Sequence, residues 1–284
     1  MFKTVANEIW AFDLEWTPDL VAGRLLYHLP DEMADREVIQ EMWKQGGATP
    51  AQPHPFLKLA LCRVVSIAAV IRIARPDGSV QLELKSLPKL EESGATQDES
   101  EMLALFLNTI GHRGPQLVGF NSHAADIKIM MQRAIIKGVS APAFCKRPDK
   151  PWEAEADYFS KYSDDHVDLK EIVSGFGQGT PSLHELATLS GIPGKLGVAG
   201  DDVAQMWLDG KLNEIVAYNE TDALTTYLVW LRVAHFAGFL TDEQYDQEQD
   251  LVRRRIAEKL QESGDDHLKI YQEEWDRLRS LTAN

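Results

Sequence analysis

Cysteine is nearly missing from this chain: Cys62 and Cys145 are the only two among 284 residues, far apart and outside any CxxC spacing. A disulfide framework and a cysteine-based zinc site are thereby excluded, and a reducing cytoplasm is the expected home. Long apolar runs are missing too. The opening MFKTVANEIW carries no signal core, and the most apolar stretch, 59–74, is broken by Arg63 and Arg72 and too short to cross a bilayer, so no membrane association is expected. The eight histidines show neither HxxxH nor HExxH spacing, and there is no internal repeat. Basic residues are also scarce, 29 Lys and Arg against 44 Asp and Glu, for a net charge of −15. That balance argues against a protein that coats long nucleic acid through many phosphate contacts. It leaves open an enzyme that admits one chain end to a cleft where divalent cations supply the positive charge.

What is present reads as strands followed by strand and helix alternation. In NEIWAFDLEW (7–16) a period of two places Ile9, Ala11, Asp13 and Glu15 on one strand face and Trp10, Phe12, Leu14 and Trp16 on the other. Residues 18–58 are polar and helix-prone around DEMADREVIQEMWKQ and close on the loop GGATPAQPHP, which reads as an insertion. CRVVSIAAVIRIA (62–74) and 80–86 flank Pro76-Asp77-Gly78-Ser79 and predict an antiparallel meander. Beyond it come a helix ending at Gly111, a buried strand QLVGFN, a helix ending at Gly138 and a short strand at 166–169. Further helices are expected at 182–190, 201–208 and 213–237. The expected organisation is a main domain over 1–240 and a helical C-terminal extension over 241–284 packed on it.

Four carboxylates stand out, each with an ordinary reading if taken alone. Asp13 and Glu15 suit the solvated face of an amphipathic strand, and Asp126 suits the first turn of a helix, where the dipole favours negative charge. Tyr218 and Asp222 are four apart and share one helix face, as a surface pair would. Their conjunction is more specific: a DxE on a buried first strand, an Asp opening a helix after a short apolar strand, and a YxxxD on a late helix. Carboxylates gathered that closely away from water need a cation.

These motifs resemble the DEDD superfamily of 3'-5' exonucleases, the DnaQ-like proofreading fold. FDLEW (12–16), LVGFNSHAADIKIM (117–130) and YNETD (218–222) carry its three motifs. Tyr218 places the chain with the tyrosine-bearing subgroup, since Ala217 stands where the sister subgroup carries histidine. HVDLKEIVSGFG and PSLHELATLSGIPGK resemble, more narrowly, bacterial stand-alone exonucleases related to the exonuclease domain of family B DNA polymerases. One position departs, Ala125, which is often aromatic in relatives.

The resemblance implies an α/β, ribonuclease H-like mixed sheet of an antiparallel meander plus parallel strands, flanked by helices. It also implies that Asp13, Glu15, Asp126 and Asp222 hold two divalent ions, Mg2+ or Mn2+, about 3.5–4 Å apart. Tyr218 would orient the attacking water rather than act as an ionised base, its ordinary pKa being about 10. The implied substrates are single-stranded DNA or RNA 3' ends, DNA preferred, with release of 5'-nucleoside monophosphates. Leu14 and Phe12 are candidates to frame the terminal base and Asn121 to contact the sugar-phosphate, with core packing as the alternative for Phe12. Lys146, Arg147 and Lys150 are candidate phosphate contacts. A rival reading keeps the fold but makes it a catalytically silent nucleic-acid-binding or adaptor module.

Overall fold

The computed structural model describes residues 1–89, 97–150, 156–160, 163–175, 179–197, 200–263 and 266–282. Five strands, β1 (Glu8–Pro18), β2 (Cys62–Ala74), β3 (Val80–Leu87), β4 (Gln116–Gly119) and β5 (His166–Asp168), form one mixed sheet in the order β3-β2-β1-β4-β5. The first three pair antiparallel and the last two join in parallel, which is the ribonuclease H-like arrangement. The helices are α1 (Leu20–Tyr27), α2 (Asp35–Gln45), α3 (Glu99–Arg113), α4 (Asp126–Ile136), α5 (Pro142–Cys145), α6 (Leu169–Ser174), α7 (Leu183–Leu189), α8 (Val203–Leu208), α9 (Leu212–Phe236), α10 (Asp242–Ser263) and α11 (Asp266–Thr282). No helix among the described residues is long and apolar enough to cross a membrane.

Strand alternation sorts two cores. Ile9, Ala11, Ala68 and Val70 face a layer built from α9, α10 and α11, with Trp230, Tyr271 and Trp275 fully buried. Trp10, Phe12, Leu14, Ile67 and Ala69 face α2, α3, α4 and α5 across the other side. Because the pleat has a period of two, this sorting dictates that Asp13 and Glu15 continue the face that meets α9.

The helix expected to stop at Gly111 instead runs to Arg113 and is terminated by Gly114 in the left-handed conformation, φ 60°. Gly111 serves another purpose. A Cβ there would lie 2.3 Å from the backbone nitrogen of Phe144, so glycine is what lets α5 rest directly on α3.

The C-terminal helices belong to the core rather than to a loose tail. Arg72 on β2 forks onto Glu248 of α10 at 2.6 and 2.8 Å, and the Tyr227 hydroxyl donates to the same carboxylate at 2.7 Å, all three groups buried. Removing one partner leaves the other charge stranded away from water. Glu248→Ala is therefore expected to lower stability by about 3–5 kcal/mol, read as a shift of the urea midpoint. The double variant Arg72→Met with Glu248→Leu should recover much of that loss. A Glu248→Ala midpoint equal to that of the parent would show the pair to be idle.

Candidate active site

The sheet itself opens the site. β1 pairs with β4 only from Ile9 to Ala11, after which β4 ends at Gly119 and its chain turns away while β1 continues to Pro18. Residues 13–15 therefore border a crevice at the C-terminal ends of parallel strands, where open α/β sheets place their ligands. A bulge between Glu15 and Trp16 ends the regular register just beyond.

Three elements bring their acids there. One carboxylate oxygen each of Asp13, Glu15 and Asp222 lie within 4.8 Å of one another. Asp222 is fixed by its neighbours: Asn219 donates to Ser66 Oγ at 2.9 Å, and Ser66 is the register partner of Glu15. One residue on, Glu220 accepts from Ser86 of β3, Lys259 of α10 and His267 of α11. Asp126 stands outside the close trio but lines the same cavity, at the first turn of α4. The backbone N–H of Leu14 favours its charged form, which links the second motif to the first.

The electrostatics are unfavourable as they stand. Burial pushes the Asp13 and Glu15 carboxyls well above the usual range, and the charges of Asp126 and Asp222 push further in the same direction. Burial likewise raises Asp126 to about 7, against the two backbone N–H donors that favour its charged form. Asp222 is raised to about 6, again by burial, opposed by the Tyr218 hydroxyl, Lys195 and His184. An all-oxygen, desolvated and self-repelling set of this kind fits a hard divalent cation and little else.

Tyr218 stands one helical turn before Asp222, its hydroxyl favouring that residue's charged form, and packs with Val65, Val203, Met206 and Ile215 rather than in the cavity wall. Burial raises its pKa far above the ordinary tyrosine value, which keeps it a neutral donor. Leu14 and Asn121 line the cavity, Asn121 with φ 67° and its Oδ1 accepting from Lys170 at 3.0 Å. Phe12 does not. It is 1% exposed, packed against Phe106 and His166, so it frames the core and not the terminal base. In the basic loop, Arg147 is committed to Asp157 at 3.0 Å.

Two further residues contribute: Asp168, which the motif HVDL marks in the sequence as a structural residue rather than a fifth ligand, and Lys195, which no motif marks. Asp168, buried at the end of β5, accepts the backbone N–H groups of Asn121 and Lys170 on one oxygen and that of His123 on the other. It thereby holds the turn leading into α4. With three backbone donors filled in, the nearby grouping of His123, Asp168 and Glu171 is a brace and not a second cation site. Lys195 is the cation whose field lowers Asp13, Glu15 and Asp222 together. Its loop is pinned from both sides, Pro193 C=O accepting from Thr225 at 2.9 Å and Lys195 N–H donating to His184 Nδ1 at 3.0 Å. A Cβ on Gly194 would come within 2.2 Å of that nitrogen. The phrase GIPGK was visible, but nothing in one dimension connects it to residue 13.

Residues 54–275 match the family model described as predicted 3'-5' exonuclease related to the exonuclease domain of PolB. The chain belongs to this family. The match to these PolB-related exonucleases includes Asp126, Tyr218 and Asp222 and begins after Asp13 and Glu15, which the fold nonetheless brings to Asp222. Among solved structures the chain is similar to the family B DNA polymerase from the hyperthermophilic archaeon Pyrobaculum calidifontis, at 17% identity and a TM-score of 0.44. That similarity covers 80% of this chain and 25% of the polymerase, so the chain spans about a quarter of its length. Comparison with curated proteins finds no match.

Proposed function

We infer that this member of the predicted exonuclease family is a metal-dependent 3'-5' exonuclease. Its substrates are single-stranded ends, DNA in preference to RNA, and its products are 5'-nucleoside monophosphates. The observation that supports it best is the approach of Asp13, Glu15 and Asp222 to within 4.8 Å, with Asp126 across the same cavity. The catalytic unit proposed is 1–240, its insertion at 18–58 bordering the cavity and the 241–284 helices bracing α9 from behind.

The proposed metal ligands are Asp13, Glu15, Asp126 and Asp222, holding two divalent ions, Mg2+ or Mn2+. Bound there, such ions activate water and neutralise charge on the departing 3' oxygen. The protein's own groups do the rest. Leu14 N–H favours the charged form of the Asp126 carboxylate, Asn219 and Glu220 lock the rotation of α9, and Lys195 offers positive charge at the cavity edge for the phosphate of an incoming end. Tyr218, one turn before Asp222 on the same helix face, orients the attacking water through its neutral hydroxyl. Leu14 and Asn121 supply substrate contacts in the wall.

Incubation with a 5'-labelled single-stranded oligonucleotide and magnesium or manganese tests this reading. A ladder shortening from the 3' end and abolished by EDTA is expected; no shortening with either metal would favour the silent binding module. Tyr218→Phe, which keeps the ring and removes one hydroxyl, should lower kcat by about 10- to 100-fold through misplaced groups. Its KM and calorimetric metal affinity should stay within about threefold, because the carboxylates are untouched. An unchanged kcat would remove Tyr218 from the mechanism.

A further inference from the structure

The 18–58 insertion builds one wall of the cavity, and that wall is aromatic. α2 ends by presenting Trp43, and the chain then folds back through a loop held at several points. Ala48 N–H donates to Trp43 C=O at 2.9 Å, and Thr49 and Gln52 exchange two backbone hydrogen bonds at 3.0 Å. Buried Leu57 anchors the far end. A Cβ on Gly46 would lie 2.6 Å from Leu57 Cδ2, so a larger residue there would make the Leu57 side chain shift. Pro53 and Pro55 fix the backbone on either side of His54. The result is a preset surface: His54 lies over Trp43 with centroids 4.1 Å apart, and Phe56 stands 70% exposed.

These rings share a cavity of about 530 Å³ with Asp13, Glu15, Asp126 and Asp222. Ala125 lines the same cavity with only a methyl group. A second cavity of about 320 Å³, reached past Arg36, shares Trp43, Pro53 and His54 with the first. The Trp43–His54 pair is therefore a ridge between two adjoining spaces, one of them holding the acids. Arg36 itself is engaged by Gln205 and Asp209 at 2.6 and 3.1 Å.

On the reading of the site as a 3'-5' exonuclease, we propose that Phe56 and the Trp43–His54 pair are its specificity wall, stacking the unpaired bases of the strand end. The argument is one of available forces. A chain with a net charge of −15 gains little from phosphate contacts, whereas an exposed ring binds any base through its face. Bases within a duplex are stacked on both faces and held by their partner strand, so a wall that takes up successive bases selects single strands without regard to sequence.

The test measures binding of a 5'-labelled 12-nucleotide single strand to the full chain by fluorescence anisotropy, with calcium replacing magnesium, alongside the shortening assay in magnesium. Phe56→Ala and Trp43→Ala should each weaken binding by about 5- to 150-fold. Phe56→Tyr should restore affinity to within about threefold, since the ring face returns. A strand whose last three bases are abasic should bind the unaltered protein as weakly as the intact strand binds Phe56→Ala. It should lose little more with that variant, because ring and base form one coupled pair. Equal affinity of Phe56→Ala and the unaltered protein overturns the wall, as do ring and abasic losses that multiply. If strands are nonetheless shortened in magnesium, the nuclease reading survives that result. A protein that neither shortens nor binds the strand overturns both.

Discussion

Asp13→Asn is expected to abolish strand shortening, by at least about 10³-fold, while making the metal-free protein more stable at neutral pH. The two effects share one cause. Asp13 is half-buried beside Glu15, Asp126 and Asp222, and both desolvation and these neighbours oppose its charge. A neutral amide of the same shape removes that opposition, and the same amide cannot supply an anionic ligand. The stability gain should be about 1–3 kcal/mol, the usual scale for a desolvated group that lacks its partner. Its pH dependence has a definite sign. These carboxyls have folded pKa values raised above the unfolded ones, so the folded state binds more protons between about pH 4 and pH 7. Stability of the metal-free parent is thus highest relative to the variant near pH 4 and is lost as pH rises through the raised pKa of Asp13. The melting temperatures of parent and variant should coincide near pH 4 and separate by pH 8. A variant less stable than the parent at pH 8 would mean that the cluster is satisfied without a cation.

The second large effect is on metal affinity. Magnesium or manganese must displace protons from this cluster, so binding should release protons and weaken as pH falls through about 7 and then about 6. Below both values each displaced proton costs about tenfold in affinity per pH unit. Calorimetry in two buffers of different ionisation enthalpy reads the proton count directly, and the apparent Kd at pH 5.5 should exceed that at pH 8 by at least about tenfold. The exonuclease activity should rise across the same interval. Binding heats that are the same in both buffers and a Kd flat from pH 5.5 to 8 would show that the carboxylates are already ionised, against the burial observed.

Much of this site was legible because its chemistry is written in short local patterns. Alternation in NEIWAFDLEW fixed which face of β1 would carry Asp13 and Glu15, and the four-residue spacing of Tyr218 and Asp222 fixed a shared helix face. The short apolar run before Asp126 placed it at a helix start, where the structure has it. Gly111 misled for an equally physical reason: glycine ends helices and also permits close approach, and only the position of Phe144 decides between them. Phe12 illustrates the same limit. Alternation put it on the face opposite Asp13 and Glu15, and its packing against Phe106 and His166 decides for the core over the cavity wall.

The sequence by itself determined the acids and the elements that carry them, since these follow from residue type and from periods of two and 3.6, while the fold class came through the resemblance of its three motifs to a known family. Only the tertiary structure decided that β1 outruns β4 to open the crevice, and that Asp168 spends its oxygens on backbone donors. It alone showed that Lys195 reaches three carboxylates and that Phe56 faces them. The reason is that distance in space between remote segments is set by the summed packing of the whole chain, and no local pattern encodes it.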